Sequence, residues 1–222
     1  MSMRCFARWE KEANSEVFFR DQTILQFGDS WELLVSFVLL TPGSALPLNE
    51  ADQTEYLRSK SLPFFVEPTD GETYVEFSID RLMNDVIKLF ASEYSGGSIR
   101  LYNLFNLKNQ DSNEALDQFV TNQTHPKMLA KEQEIKFCNA PVIITSGGNA
   151  INNPTLKQVL TQYIALAKVE NLYKIARADE RLFSIVKAEP DERGFIDSFH
   201  PSYTFKYGNI TNIGELRHNS NE

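Results

Sequence analysis

The 222-residue sequence predicts an α/β fold, a three-layer α/β/α sandwich with a central, mostly parallel sheet. Three observations carry this prediction. Runs such as "WELLVSFVLL" (31–40) and "PVIIT" (141–145) are apolar on both faces, the pattern of strands covered by helices on both sides. Between such runs lie segments with the apolar spacing of amphipathic helices. Strands and helices alternate along the chain, as parallel crossovers require. Composition agrees: 42% hydrophobic and 23% charged residues, with 16 Phe and 8 Tyr, suffice for the core of one domain spanning 1–222.

The elements follow in order. Residues 1–30 read as short strands and turns leading into the core, before the buried strand at 31–40 stops at the Pro/Gly turn "TPGSALP". Residues 47–60 suit a polar helix. Residues 61–77, with two prolines and an Asp-Gly turn signal, form an irregular excursion. The clearest helix follows: Ile79, Leu82, Met83, Val86 and Phe90 make one apolar stripe, with Ser78 as N-cap and Asp80 in the first turn. After "SGG" come a strand at "SIRLYNLFNL", a helix starting near "NQDSNEALDQFV" and a further helical segment within 125–139. The strand "PVIIT" leads through "SGGN" to Asn153-Pro154, an N-cap followed by proline in the first turn of a helix. Leu156, Val159, Leu160, Tyr163, Ile164 and Ala167 share one face of that helix. Strands are expected at "NLYKIA", "RLFSIVKA" and "GFIDSF", and a polar, frayed tail at 212–222.

The charge balance narrows the function classes. A net charge of −8 argues against a broad basic surface for duplex nucleic acid, and leaves room for a local basic patch. Cys5 and Cys138 stand far apart with no Cys/His cluster, so no metal or other cofactor is expected and a reducing, cytoplasmic setting is the default. The N-terminus lacks the apolar stretch of a signal peptide, and no run approaches the ~20 apolar residues of a membrane helix. No membrane partner is expected.

In open α/β sheets ligands sit beyond the carboxyl ends of the strands, so polar residues at strand exits are the site candidates. In "TPGSA", Thr41 and Ser44 offer hydroxyls, Pro42 turns the chain, and Gly43 permits close backbone approach; the same residues make a plain β-turn. Asn103 lies in the otherwise apolar "IRLYNLF". A buried amide completes a structural network or reads a ligand's donor/acceptor edge, such as a nucleobase. Gly147, Gly148 and Asn149 precede a helix, where backbone amides can cradle an anion or simply turn the chain. His200, in "SFHPSYTF", is a structural His-Pro turn or a donor to a developing oxyanion. His125, also followed by proline, lies between polar segments. Neither a Walker A loop nor a Gly-x-Ser-x-Gly elbow occurs.

The order of "LLTPGSA" (39–45), "RLYNLFNLKNQD" (100–111), "VIITSGGNA" (142–150) and "FHPSYT" (199–204) resembles domain-of-unknown-function family 1643 of bacteria and phages, over about residues 30–205. It is similar, more distantly, to the uracil-DNA glycosylase superfamily, a three-layer sandwich around a four-stranded parallel sheet. That resemblance implies residues 41–44 at the hydrolytic-water and sugar-phosphate position, with Thr41 catalytic and Pro42, Gly43 and Ser44 binding substrate. It implies Asn103 as the base reader and His200 as the catalytic donor to the departing base oxygen. Gly147, Gly148 and Asn149 fall at the third strand's turn, and Ser202 and Tyr203 in the late loop. Phe64 or Phe65 supplies a stacking face. Thr41 departs from the Asp or Asn of the best-known members.

The function expected from residues and resemblance together is a nucleobase or nucleotide pocket in a glycosylase-like protein that cleaves N-glycosidic bonds. Its partner is single-stranded or locally opened nucleic acid, or a free nucleobase or nucleotide. Two alternatives remain open: a non-catalytic binding module on the same fold, and an enzyme acting on a free nucleotide or another small metabolite.

Overall fold

A computed structural model describes residues 1–11, 17–69, 71–109, 111–148, 152–211, 213 and 216. In "FFRDQTILQF" and "LLVSFVL" the β-branched and aromatic residues extend the backbone, and the latter is apolar on both sides. Among the described residues nine strands form one sheet in the order β4-β1-β2-β5-β3-β6-β7-β8-β9. They are β1 (Met3–Lys11), β2 (Phe18–Phe27), β3 (Leu33–Leu39), β4 (Thr73–Phe77), β5 (Gly97–Asn103), β6 (Val142–Ile144), β7 (Leu172–Asp179), β8 (Leu182–Lys187) and β9 (Asn209–Thr211).

The central four strands, β5-β3-β6-β7, are mutually parallel. The β1, β2 and β4 strands add an antiparallel flank, β8 pairs antiparallel with β7, and β9 pairs parallel with β8. The sheet is therefore mixed, and the mostly parallel arrangement is confined to its middle. Two of the flank's strands lie in the first thirty residues, where strands of 9 and 10 residues replace the expected short pieces.

Helices cover both faces. On the first face α2 (Arg81–Ala91) buries Met83, Val86, Ile87 and Phe90 against Leu25, Phe37, Leu39 and Leu101. On the second face α3 (Ser112–Thr121) and α4 (Pro154–Leu166) pack on Val38, Tyr102, Val142 and Ile144. A short α1 (Thr54–Arg58) sits with the 62–66 segment over Phe6, Ile24 and Tyr74. The helix α5 (Pro201–Tyr207) runs beside α2 and contacts it.

Local chemistry sets the helix starts. The Asn153 side chain accepts from the Thr155 and Leu156 amides, with Pro154 in the first turn, as the sequence predicts. Asp80, rather than Ser78, caps α2 by accepting from the Met83 amide at 2.9 Å. Ser78 instead bonds the Leu46 backbone. Within 125–139 only a 3-10 turn forms, at Glu132–Glu134, and "GFIDSF" is an extended loop rather than a strand. The 61–77 segment is irregular until β4. Asn149 and most of the 212–222 tail lie outside the described residues; Ile213 and Leu216 are buried in the core. Among the described residues no helix is long and apolar enough to cross a membrane.

Candidate functional site

The loop after β3 turns at Gly43, whose φ of +80° suits glycine. Arg20, reaching across from β2, fixes that loop: one terminal guanidinium nitrogen donates to the Pro42 carbonyl, the other to the Ala45 carbonyl at 3.3 Å. Thr41 Oγ1 donates to the Leu107 carbonyl at 3.1 Å. The loop is thus held from both sides over the end of β5.

Asn103 closes β5 with Leu39 of β3 as its registered neighbour. Its backbone carbonyl accepts from the Tyr163 hydroxyl at 2.9 Å. Its side chain turns to the first face, where Oδ1 is buried with no hydrogen-bond partner. An orphaned buried carbonyl costs about 1–3 kcal/mol, a debt that a donor on a ligand would cancel.

His200 reaches the same place from the other end of the chain. Ile175 of β7 donates its amide to Ser198 Oγ at 2.9 Å, and Phe199 returns a bond to the Ile175 carbonyl at 3.0 Å. These anchor the loop just before His200. His200 then caps α5, its Nδ1 accepting from the Ser202 amide at 3.2 Å and lying 2.7 Å from Ser202 Oγ. Because Nδ1 accepts, the ring hydrogen resides on Nε2, leaving a donor. Burial pushes the imidazole down to about 4, so it is neutral at pH 7.

These parts line one cavity of about 570 Å³: Thr41, Pro42, Gly43, Ser44, Asn103, His200, Ser202 and Tyr203 all contribute. The structure therefore brings together three of the four strand exits singled out from sequence, at the carboxyl ends of β3 and β5. Gly147 and Gly148 instead line a neighbouring cavity of about 680 Å³ with Lys174 and Arg177. His200, Ser202 and Tyr203 form the wall between the two cavities. Gly147, at φ +74°, packs close to the His200 Cβ.

Phe64 and Phe65 do not serve the site. They are 0% and 8% exposed, packed on the second face with Leu57, Leu62 and Tyr74, and neither lines the cavity. The aromatic groups at the cavity are Tyr203, Phe205 and Tyr207 of α5. Tyr203 and Tyr207 are 40% and 50% exposed, their ring centroids 4.7 Å apart.

Among the lining residues not singled out from sequence as site candidates are Arg20, Thr23 and Asp80. Asp80 spends Oδ1 on its helix cap, while Oδ2 lies 3.5 Å from where a side chain on Gly43 would begin. Arg20 is fully buried, and burial pushes its guanidinium below the ordinary arginine value, partly offset by Cys5 and Asp80. The available signal was the polar "RDQT" inside an apolar strand.

Comparison of the chain with protein-family models, with curated proteins and with solved structures finds no match.

Proposed function

We propose that the 570 Å³ cavity binds a nucleobase and that the chain is a uracil-DNA-glycosylase-like hydrolase of N-glycosidic bonds. The observation that carries this reading is the convergence of Asn103, His200 and residues 41–44 on one cavity. Asn103 Oδ1 accepts from a ring N–H of the base. The His200 Nε2–H donates to a base oxygen. As the glycosidic bond breaks, the base departs with the bonding electron pair, and charge collects on that oxygen, where a fixed neutral donor is most effective. Water adds to the anomeric carbon. Thr41 can hold that water but is no base at neutral pH; the Asp80 carboxylate beside Gly43 takes its proton.

The test is base release from free nucleotides and from single- and double-stranded oligonucleotides carrying uracil or damaged bases, alongside binding of free bases and nucleosides. Asn103→Leu and His200→Asn are each expected to lower excision by about 10²-fold or more. Asn at position 200 still accepts from the Ser202 amide, so the helix cap survives the loss of the Nε2 donor. Asp80→Asn likewise keeps the α2 cap while removing the base. Absence of both excision and base binding would sink the proposal.

Thr41 favours a second reading, in which the pocket binds without chemistry. No Asp or Asn stands there, and its hydroxyl hydrogen is already committed to Leu107. Base binding by the wild type, without excision of any substrate, would decide for it.

A further inference from the structure

Six buried side-chain polar atoms among the described residues have no hydrogen-bond partner. Three of them, Arg20 Nε, Thr23 Oγ1 and Asn103 Oδ1, belong to residues lining the 570 Å³ cavity. Asn103 is absorbed by base recognition; Arg20 and Thr23 are not.

Their placement is built into the strand. The β1–β2 register steps from Phe6↔Ile24 to Arg8↔Asp21, so two residues of β1 span three of β2. The extra residue is Gln22, at φ +51°, whose side chain bonds Arg100 and the Glu134 carbonyl. Such a bulge re-aims side chains. Here it turns both Arg20 and Thr23, three apart in sequence, onto the face that carries Asn103. Thr23 lies directly across from Leu101, two residues before Asn103 on β5. Successive same-face residues on a strand are about 7 Å apart.

The electrostatics of this end favour an anion. The guanidinium of Arg20 makes no ion pair among the described residues, and its terminal nitrogens meet only neutral carbonyls. Arg20, Arg81 and Lys206 outnumber the lining carboxylates Asp80 and Asp85, in a chain of net charge −8. Asp85 is paired with Arg81 at 3.8 Å, and Asp80 commits Oδ1 to the α2 amide while Oδ2 faces Gly43, leaving it as the one lining carboxylate that acts on Arg20.

We infer that Arg20 and Thr23 form the anion-accepting end of the cavity, and that its ligand is a mononucleotide with a terminal phosphate. This rests on the nucleobase reading of Asn103 and narrows it, placing the glycosidic bond in a free nucleotide rather than in an oligonucleotide. One phosphate oxygen accepts from Arg20 Nε–H and Thr23 Oγ1–H, while the base reaches Asn103 along the same strand face. Both residues line the cavity yet are only 1% exposed, so they lie at its floor, a position that suits the small end of a terminal phosphate better than a phosphodiester flanked by further nucleotides.

The experiment is calorimetric titration of the full chain at low ionic strength with a nucleoside, its 5′-monophosphate, a 3′,5′-dinucleotide without terminal phosphate, and inorganic phosphate. Proteins are the wild type, Thr23→Val and Asn103→Leu. Valine keeps the threonine shape, so folding is preserved where an Arg20 substitution would free the 42–45 loop. The monophosphate is expected to bind the wild type about tenfold tighter than the nucleoside or the dinucleotide, with inorganic phosphate competing. Thr23→Val should erase that gain and leave nucleoside affinity unchanged; Asn103→Leu should weaken the nucleoside. Equal wild-type affinity for nucleoside and monophosphate, or an equal effect of Thr23→Val on both, overturns the anion end alone. A dinucleotide as tight as the monophosphate overturns the mononucleotide assignment. Phosphate binding lost in Thr23→Val, with no binding of any base, upholds the anion end and overturns base recognition.

Discussion

His200 combines two duties in one ring. Nδ1 is spent on the helix cap, which fixes the tautomer and leaves Nε2–H as a donor. Burial places its folded value at about 4, below the ordinary 6.5. The unfolded chain therefore binds the extra proton between these values, and stability must rise with pH there. The contribution is whole above about pH 6.5 and is lost as pH falls through about 4. Denaturant titrations at successive pH values should show this slope in the wild type and a shallower one in His200→Asn; equal slopes would mean the ring is solvated. Thr23 makes the complementary case. A buried hydroxyl without a partner costs the free protein, so Thr23→Val should leave stability unchanged or raise it by about 1 kcal/mol while weakening ligand binding. A clear fall in stability would mark Thr23 as structural.

At the scale of elements, legibility tracked periodicity. The apolar stripe from Met83 to Phe90 and the face from Leu156 to Ile164 were readable because a helix repeats its pattern over several turns. The β2 strand was not, since a bulge breaks the two-residue alternation and "RDQT" then looks like a turn. Likewise α5 was hidden, because seven residues are too few to establish a period, and its cap is a histidine. The α2 start was shifted by two residues because Ser78 and Asp80 are both good caps, and only the tertiary bond from Ser78 to the Leu46 backbone decides between them. This yields a measurable distinction. Asp80→Ala should cost about 1 kcal/mol of stability through the lost cap, and Asp80→Asn much less, by chemical denaturation. Equal losses would mean that the carboxylate charge, rather than the cap, stabilises the helix.

Across the whole molecule, the four parallel strands and the strand exits at Thr41–Ser44 and Asn103 were legible because each is a local signal. The antiparallel flank was not, because its pairings depend on contacts far apart in sequence. That flank is part of the site, since β2 brings Arg20 and Thr23 to the cavity. What holds it is a buried ion cluster on the opposite face. Arg8 donates to Asp21 at 2.6 and 2.8 Å, to Glu72 at 2.9 Å and to Glu134 at 2.8 and 3.2 Å, joining β1, β2, the start of β4 and the turn after residue 131. The side chains of Glu72 and Glu134 are only 6% and 8% exposed; Lys127 also pairs with Glu72, and Lys131 lies 3.9 Å from Glu134, so removal of Arg8 leaves three carboxylates facing two lysines away from bulk water. Truncating one partner of a buried pair typically costs about 3–5 kcal/mol, far more than a surface bridge. Arg8→Met should therefore shift the denaturation midpoint strongly with an unchanged slope, whereas Arg58→Met, in an exposed pair, should barely move it. If Arg8→Met costs under about 1 kcal/mol, the cluster is effectively solvated. The alignment of β2 with the cavity would then rest on its backbone ladder and on the Arg20 bonds to the 42–45 loop.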